Sequence, residues 1–192
     1  KFLVEKIILR LEANGAFQPK EAMGKLLRLA EFEIHSIEQP VAAGQWKELT
    51  KLCKESPVPV ALDEELIGIH TISEKEKLLD TIQPQFLVLK PSLHGGFSGC
   101  DEWIELSNQR NIGWWITSYL ESNIGRNAIA QWTYHKNAQG FQAFHHFAGF
   151  GDGVGQRAVA IADLEHVEHR GIHQVAAFQI LKPGPVFVQR LG

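Results

Sequence analysis

Five short apolar runs recur along this chain at a nearly fixed interval, each followed by an amphipathic stretch, and few folds can absorb such a pattern. The runs occupy residues 7–11, 34–37, 58–62, 86–89 and 113–116, and the stretches that follow them occupy 19–31, 44–55, 73–81, 100–109 and 122–135. Runs of four or five branched and aromatic residues suit buried strands, and the longer stretches suit helices laid against a sheet. The alternation predicts a parallel α/β architecture. Pro19 with Glu21, and Ser73 with Glu74 and Glu76, supply helix-start signals, because carboxylates favour the positive end of the helix dipole and a first-turn proline forfeits no hydrogen bond.

Chemistry-bearing residues sit just past each run: Glu12, Glu38, Asp63, Lys90 and Ser118, separated by 26, 25, 27 and 28 residues. Equal βα units in a barrel bring the C-terminal ends of neighbouring strands to one mouth, where barrel enzymes keep their active sites. A doubly wound open sheet is the competing arrangement. It normally carries a glycine-rich GxGxxG turn after its first strand, and Glu12-Ala13-Asn14-Gly15 lacks that pattern. A (β/α)₈ barrel is therefore expected. With 192 residues against the roughly 250 of a complete barrel, the expectation is a partial one.

Composition narrows the function classes. A net charge of -3 provides no basic footprint for nucleic acid. No run of 18 apolar residues or apolar leader is visible, so no membrane partner is expected and a cytoplasmic location is. Cys53 and Cys100 lie far apart without CxxC spacing, which predicts free thiols rather than a disulfide framework or a zinc knuckle.

Three carboxylates on adjacent strand ends suit a hard divalent cation with oxygen ligands, Mg²⁺ first and Mn²⁺ as the second candidate. Such an ion would hold a small-molecule carboxylate substrate, and Lys90 could add an ammonium where negative charge develops. Any one of these acids alone would read as a solvated loop residue; four charged groups at this interval do not.

The segments LEANGAF (11–17), HSIEQP (35–40), VALDEELIG (60–68), LKPSLHGGF (89–97) and TSYLESNIG (117–125) together resemble the consecutive strand-end motifs of the o-succinylbenzoate synthases, a family within the enolase superfamily. The resemblance runs from about residue 7 to 140 and implies a partial enolase-type C-terminal barrel, 1–141, lacking its first strands and capping domain. It implies that Glu12, Glu38 and Asp63 ligate Mg²⁺, that Lys90 faces the substrate, and that Ser118, with Thr117 and Ser122 as neighbouring candidates, lies near the substrate carboxylate. The implied reaction is dehydration of a cyclohexadiene carboxylate to o-succinylbenzoate in menaquinone biosynthesis, through an enediolate.

The chain departs from that pattern in three places. Glu12 stands where the family usually has aspartate, which lengthens the ligand by about 1.5 Å. The Lys-x-Lys segment that supplies the family's base is not expected here, because Lys1 and Lys6 are too close to Glu12, so impaired catalysis is expected. From residue 142 to 192 the family motifs are lost, and a reading-frame change in the source sequence would account for such a divergent tail. Within it, His166, His169 and His173 share helical spacing but are interrupted by Gly171, and His145-His146 and the GFGDGVG stretch, 149–155, lack ligand geometry. Two other readings stay open: an N-acylamino acid racemase or dipeptide epimerase of the same superfamily, and a non-catalytic remnant. Oligomeric state is not legible.

Overall fold

The computed structural model describes residues 8–136 and the backbone of one further strand, 177–181. Strands β1 (Ile8–Glu12), β2 (Ser36–Glu38), β3 (Val60–Leu62), β4 (Phe86–Leu89) and β5 (Gly113–Ile116) alternate with helices α1 (Pro19–Leu29), α2 (Trp46–Glu55), α3 (Ile72–Ile82), α4 (Gly96–Gln109) and α5 (Asn123–His135). The five strands pair in parallel in sequential order, so they form one arc of a (β/α) barrel. A sixth strand, β6 (Ala177–Leu181), pairs antiparallel with β1. No periodic signal announced it. It covers the edge of β1 that β2 leaves free. The tail histidines and the 149–155 stretch lie outside the described residues.

Each strand has two faces with different tasks. Leu11, Ile37, Val60, Leu62, Leu87, Leu89 and Ile116 join the main core beneath the helices. Ala61, Val88 and Trp115 form a separate cluster, joined by Phe86, on the concave side of the arc. The Arg10 guanidinium lies 3.9 Å from the Trp115 ring centroid on that side, and burial lowers its pKa to about 10. Of the adjacent tryptophans, Trp115 fills the inner cluster while Trp114 packs on the main core and donates Nε1–H to Asn108. Cys53 and Cys100 are free and buried, and burial pushes both thiols up to about 12.

Helix boundaries follow local chemistry where a cap exists. Thr71 accepts from the Glu74 N–H while the Glu74 carboxylate accepts from the Thr71 N–H, a complete capping box opening α3. Ser122 caps α5 in the same sense. Helix α4 begins four residues before the expected Cys100, since Gly95 turns at φ 83° and the chain enters the helix directly at Gly96. Helix α1 closes at Leu29 and tightens into a 3₁₀ turn over Ala30–Phe32.

Candidate metal centre

The same alternation that feeds leucines to the helices aims the acids the other way. In each unit a core-facing residue immediately precedes the residue of interest: Leu11 before Glu12, Ile37 before Glu38, Leu62 before Asp63, Leu89 before Lys90. Register completes the convergence, because Glu12 pairs with Glu38 directly across β1 and β2. One carboxylate oxygen from each of Glu12, Glu38 and Asp63 lies within 4.8 Å of the others, and all three side chains are buried. The Lys90 ammonium forms an ion pair with Asp63 Oδ2.

Three buried carboxylates facing one ammonium leave excess negative charge in a poorly solvated space. Burial first, and then the facing Glu12 and Asp63 carboxylates, hold the Glu38 carboxyl well above its ordinary range. Burial likewise raises Glu12, although hydrogen bonds from Glu38 and from the Asn14 N–H (3.0 Å) partly offset it. Without an ion, the Glu12 and Glu38 pair therefore holds a proton more tightly than free carboxylates do. Lys90 behaves in the opposite way: burial lowers it, but the pull of Asp63, then Glu38 and Glu12, prevails and keeps it a cation above its usual range.

These features fit a hard divalent cation. Asp63 Oδ1 is buried and has no hydrogen-bond partner among the described residues, an orphaned acceptor that coordination would satisfy. Like charges directly opposite on neighbouring strands are destabilising unless something binds them. Glu12, despite its extra methylene, still brings an oxygen into the group.

Two neighbours escaped the reading by spacing. His94 Nδ1 accepts the Lys90 backbone N–H at 3.1 Å; burial, then the Lys90 and Lys75 charges, lower its pKa to about 3, so the ring is neutral. Glu65 is buried and accepts from the Gly44 N–H at 3.0 Å and from Trp46 Nε1 at 2.6 Å. Both belong to the motif segments, but neither stands at the strand-end interval that marked the acids. Ser118 follows β5 and is buried, as is Thr117, and neither hydroxyl has a hydrogen-bond partner among the described residues. The alternation gives Thr117, one residue after core-facing Ile116, the phase of the acids; Ser118 is one step out of that phase.

A parallel α/β arc with acids on three successive strand ends defines an enolase-type barrel, and the chain belongs to the Enolase C-terminal domain-like family, whose sequence model matches residues 3–187. That span continues well past residue 140, where the motif resemblance was traced. Over 132 residues the chain is 52% identical to the o-succinylbenzoate synthase of Desulfotalea psychrophila, covering 69% of this chain and 36% of that protein. It is 26% identical over 130 residues to the L-Ala-D/L-Glu epimerase of Bacillus subtilis, covering 67% and 35%. The crystal structure of MenC from Desulfotalea psychrophila superposes with a TM-score of 0.71 at 47% identity, covering 77% of this chain and 41% of that one. The chain thus spans little more than a third of the length of these curated relatives.

Proposed function

We propose that this chain is the metal-binding part of an o-succinylbenzoate synthase, a carbon–oxygen lyase that dehydrates a cyclohexadiene carboxylate in menaquinone biosynthesis. The observation that carries the reading is the buried group Glu12, Glu38 and Asp63 against Lys90, in a chain 52% identical to the Desulfotalea synthase. Glu12, Glu38 and Asp63 would hold Mg²⁺, with Mn²⁺ as a substitute. Bound there, the ion supplies Lewis acidity toward a substrate carboxylate and stabilises charge as the neighbouring carbon loses its proton.

The chain's own residues set the rest. Lys90, at the strand end after Asp63 and paired with its carboxylate, would offer an ammonium where negative charge develops on the substrate. Ser118 or Thr117 offers a hydroxyl donor to the substrate carboxylate. The cytoplasm is the expected compartment, and no helix among the described residues is long and apolar enough to cross a membrane.

The test has two arms. Calorimetric titration of this chain with Mg²⁺ is expected to give saturable binding that a Glu38→Ala, Asp63→Ala double variant loses. The full-length gene product is then assayed for dehydration of the cyclohexadiene carboxylate and, separately, for racemisation of N-succinylamino acids. Racemisation without dehydration would overturn the synthase assignment.

A further inference from the structure

Gln39 is a completely buried polar side chain, and it stands next to Glu38 in sequence. Its carboxamide oxygen accepts the backbone N–H of Asp63 at 3.2 Å and that of Glu65 at 3.3 Å. Its amide nitrogen donates to the Val41 carbonyl at 2.9 Å, with the Glu65 carboxylate at 3.5 Å. The backbone of the same residue accepts from the Gly15 N–H at 2.6 Å and donates to the Ala61 carbonyl at 2.9 Å. Gln39 therefore ties the loop after β1, the end of β2 and the segment following β3 into one unit, and the three acids stand at these same three strand ends.

The backbone supports the same reading. Gln39 sits at φ 38°, a conformation that side-chain-bearing residues adopt rarely and that must be held by surrounding contacts. Gly15 meets it at φ 70°, where a Cβ would come within 2.9 Å of Ala42 Cα, so the loop after β1 is pressed against the one after β2. Glu65 extends the bracing outward through Gly44 and Trp46. None of these groups lends a carboxylate oxygen to the triad.

We propose that Gln39 is the positioning residue of the metal centre, holding the Asp63 backbone relative to Glu38 and Glu12 so that the three carboxylates are preorganised before the ion arrives. This rests on the reading that the triad binds a divalent cation. Supporting groups of this kind typically change metal affinity 10- to 100-fold when removed.

The test compares the parent chain with Gln39→Met, which keeps the volume and removes the hydrogen bonds, and with Ile82→Val, a core change at the far end of α3. In metal-free protein, amide hydrogen exchange at Asp63 and Glu65 is expected to accelerate at least tenfold in Gln39→Met and to stay at the parent rate in Ile82→Val. In calorimetry with Mg²⁺, Gln39→Met is expected to bind about 10- to 100-fold more weakly, while Ile82→Val binds as the parent does, whatever its melting temperature. Unchanged exchange at both amides overturns the proposal, as does parent-like affinity in Gln39→Met or an equal loss in Ile82→Val. A parent chain that binds no Mg²⁺ overturns the metal reading instead, and the exchange result then still decides whether Gln39 holds the Asp63 loop. Should Gln39→Met not fold, Glu65→Gln takes its place, with a several-fold weakening expected and parent-like affinity counting against the proposal.

Discussion

A carboxylate stripped of water and set against another carboxylate holds its proton, and this has a measurable sign. Glu38, and to a smaller degree Glu12, titrate above the ordinary value of 4.5 in the folded chain, chiefly through burial. Their contribution to stability is fully present below that value. It is lost as pH rises through the raised folded values, because the unfolded chain releases these protons first. Urea unfolding of the metal-free chain is therefore expected to show stability falling as pH rises above the ordinary value of 4.5, with Glu38→Gln flattening the decline. A parent curve that rises over that range would contradict the buried, metal-free triad. His94 has the opposite sense: its depressed pKa favours the fold above neutral pH, and that stability is lost as pH falls toward about 3.

At the scale of elements, close approach and capping set the costs. A Cβ at Gly99 in α4 would lie 2.0 Å from the His94 carbonyl oxygen, a backbone atom that cannot step aside without moving the Lys90 loop. Gly99→Ala is expected to destabilise the chain by about 2 kcal/mol or more, and to weaken Mg²⁺ binding as Lys90 shifts. Thr71→Ala removes the hydroxyl half of the α3 capping box, which accepts the Glu74 N–H, and keeps the backbone N–H that donates to the Glu74 carboxylate; the site is exposed and remote from the acids, and the change is expected to cost about 1 kcal/mol with Mg²⁺ affinity unchanged. Chemical denaturation followed by titration of each variant separates the two. The α5 start was legible near Ser122, whereas α3 starts at Ile72 with Thr71, two residues before the expected Ser73, as its cap, because the Thr71 hydroxyl and the Glu74 carboxylate close the box between them. The α4 start was not legible, because Gly95 and Gly96 disfavour a helix on propensity alone and it is tertiary packing that draws them in.

For the whole molecule, metal binding and folding are one equilibrium. If only the folded arc assembles the triad, Mg²⁺ at about 100 times its dissociation constant stabilises the chain by about 2.7 kcal/mol, or roughly 5–10 °C in melting temperature. Asp63→Asn is expected to abolish that shift, and scanning calorimetry with and without Mg²⁺ measures it. An equal shift in Asp63→Asn would mean that the ion binds elsewhere.

The sequence by itself determined the strand and helix rhythm, the C-terminal strand-end positions of Glu12, Glu38, Asp63 and Lys90, and the family resemblance those positions carry. All of these depend on local periodicity: a side chain one step beyond a core-facing leucine must lie on the other face. Only the tertiary structure decided that Lys90 pairs with Asp63, that β6 closes against β1, and that Gln39 and Glu65 brace the loops. Those features rest on hydrogen bonds and pairings between residues 19 or more positions apart, and such partners come together only when the strands have already aligned.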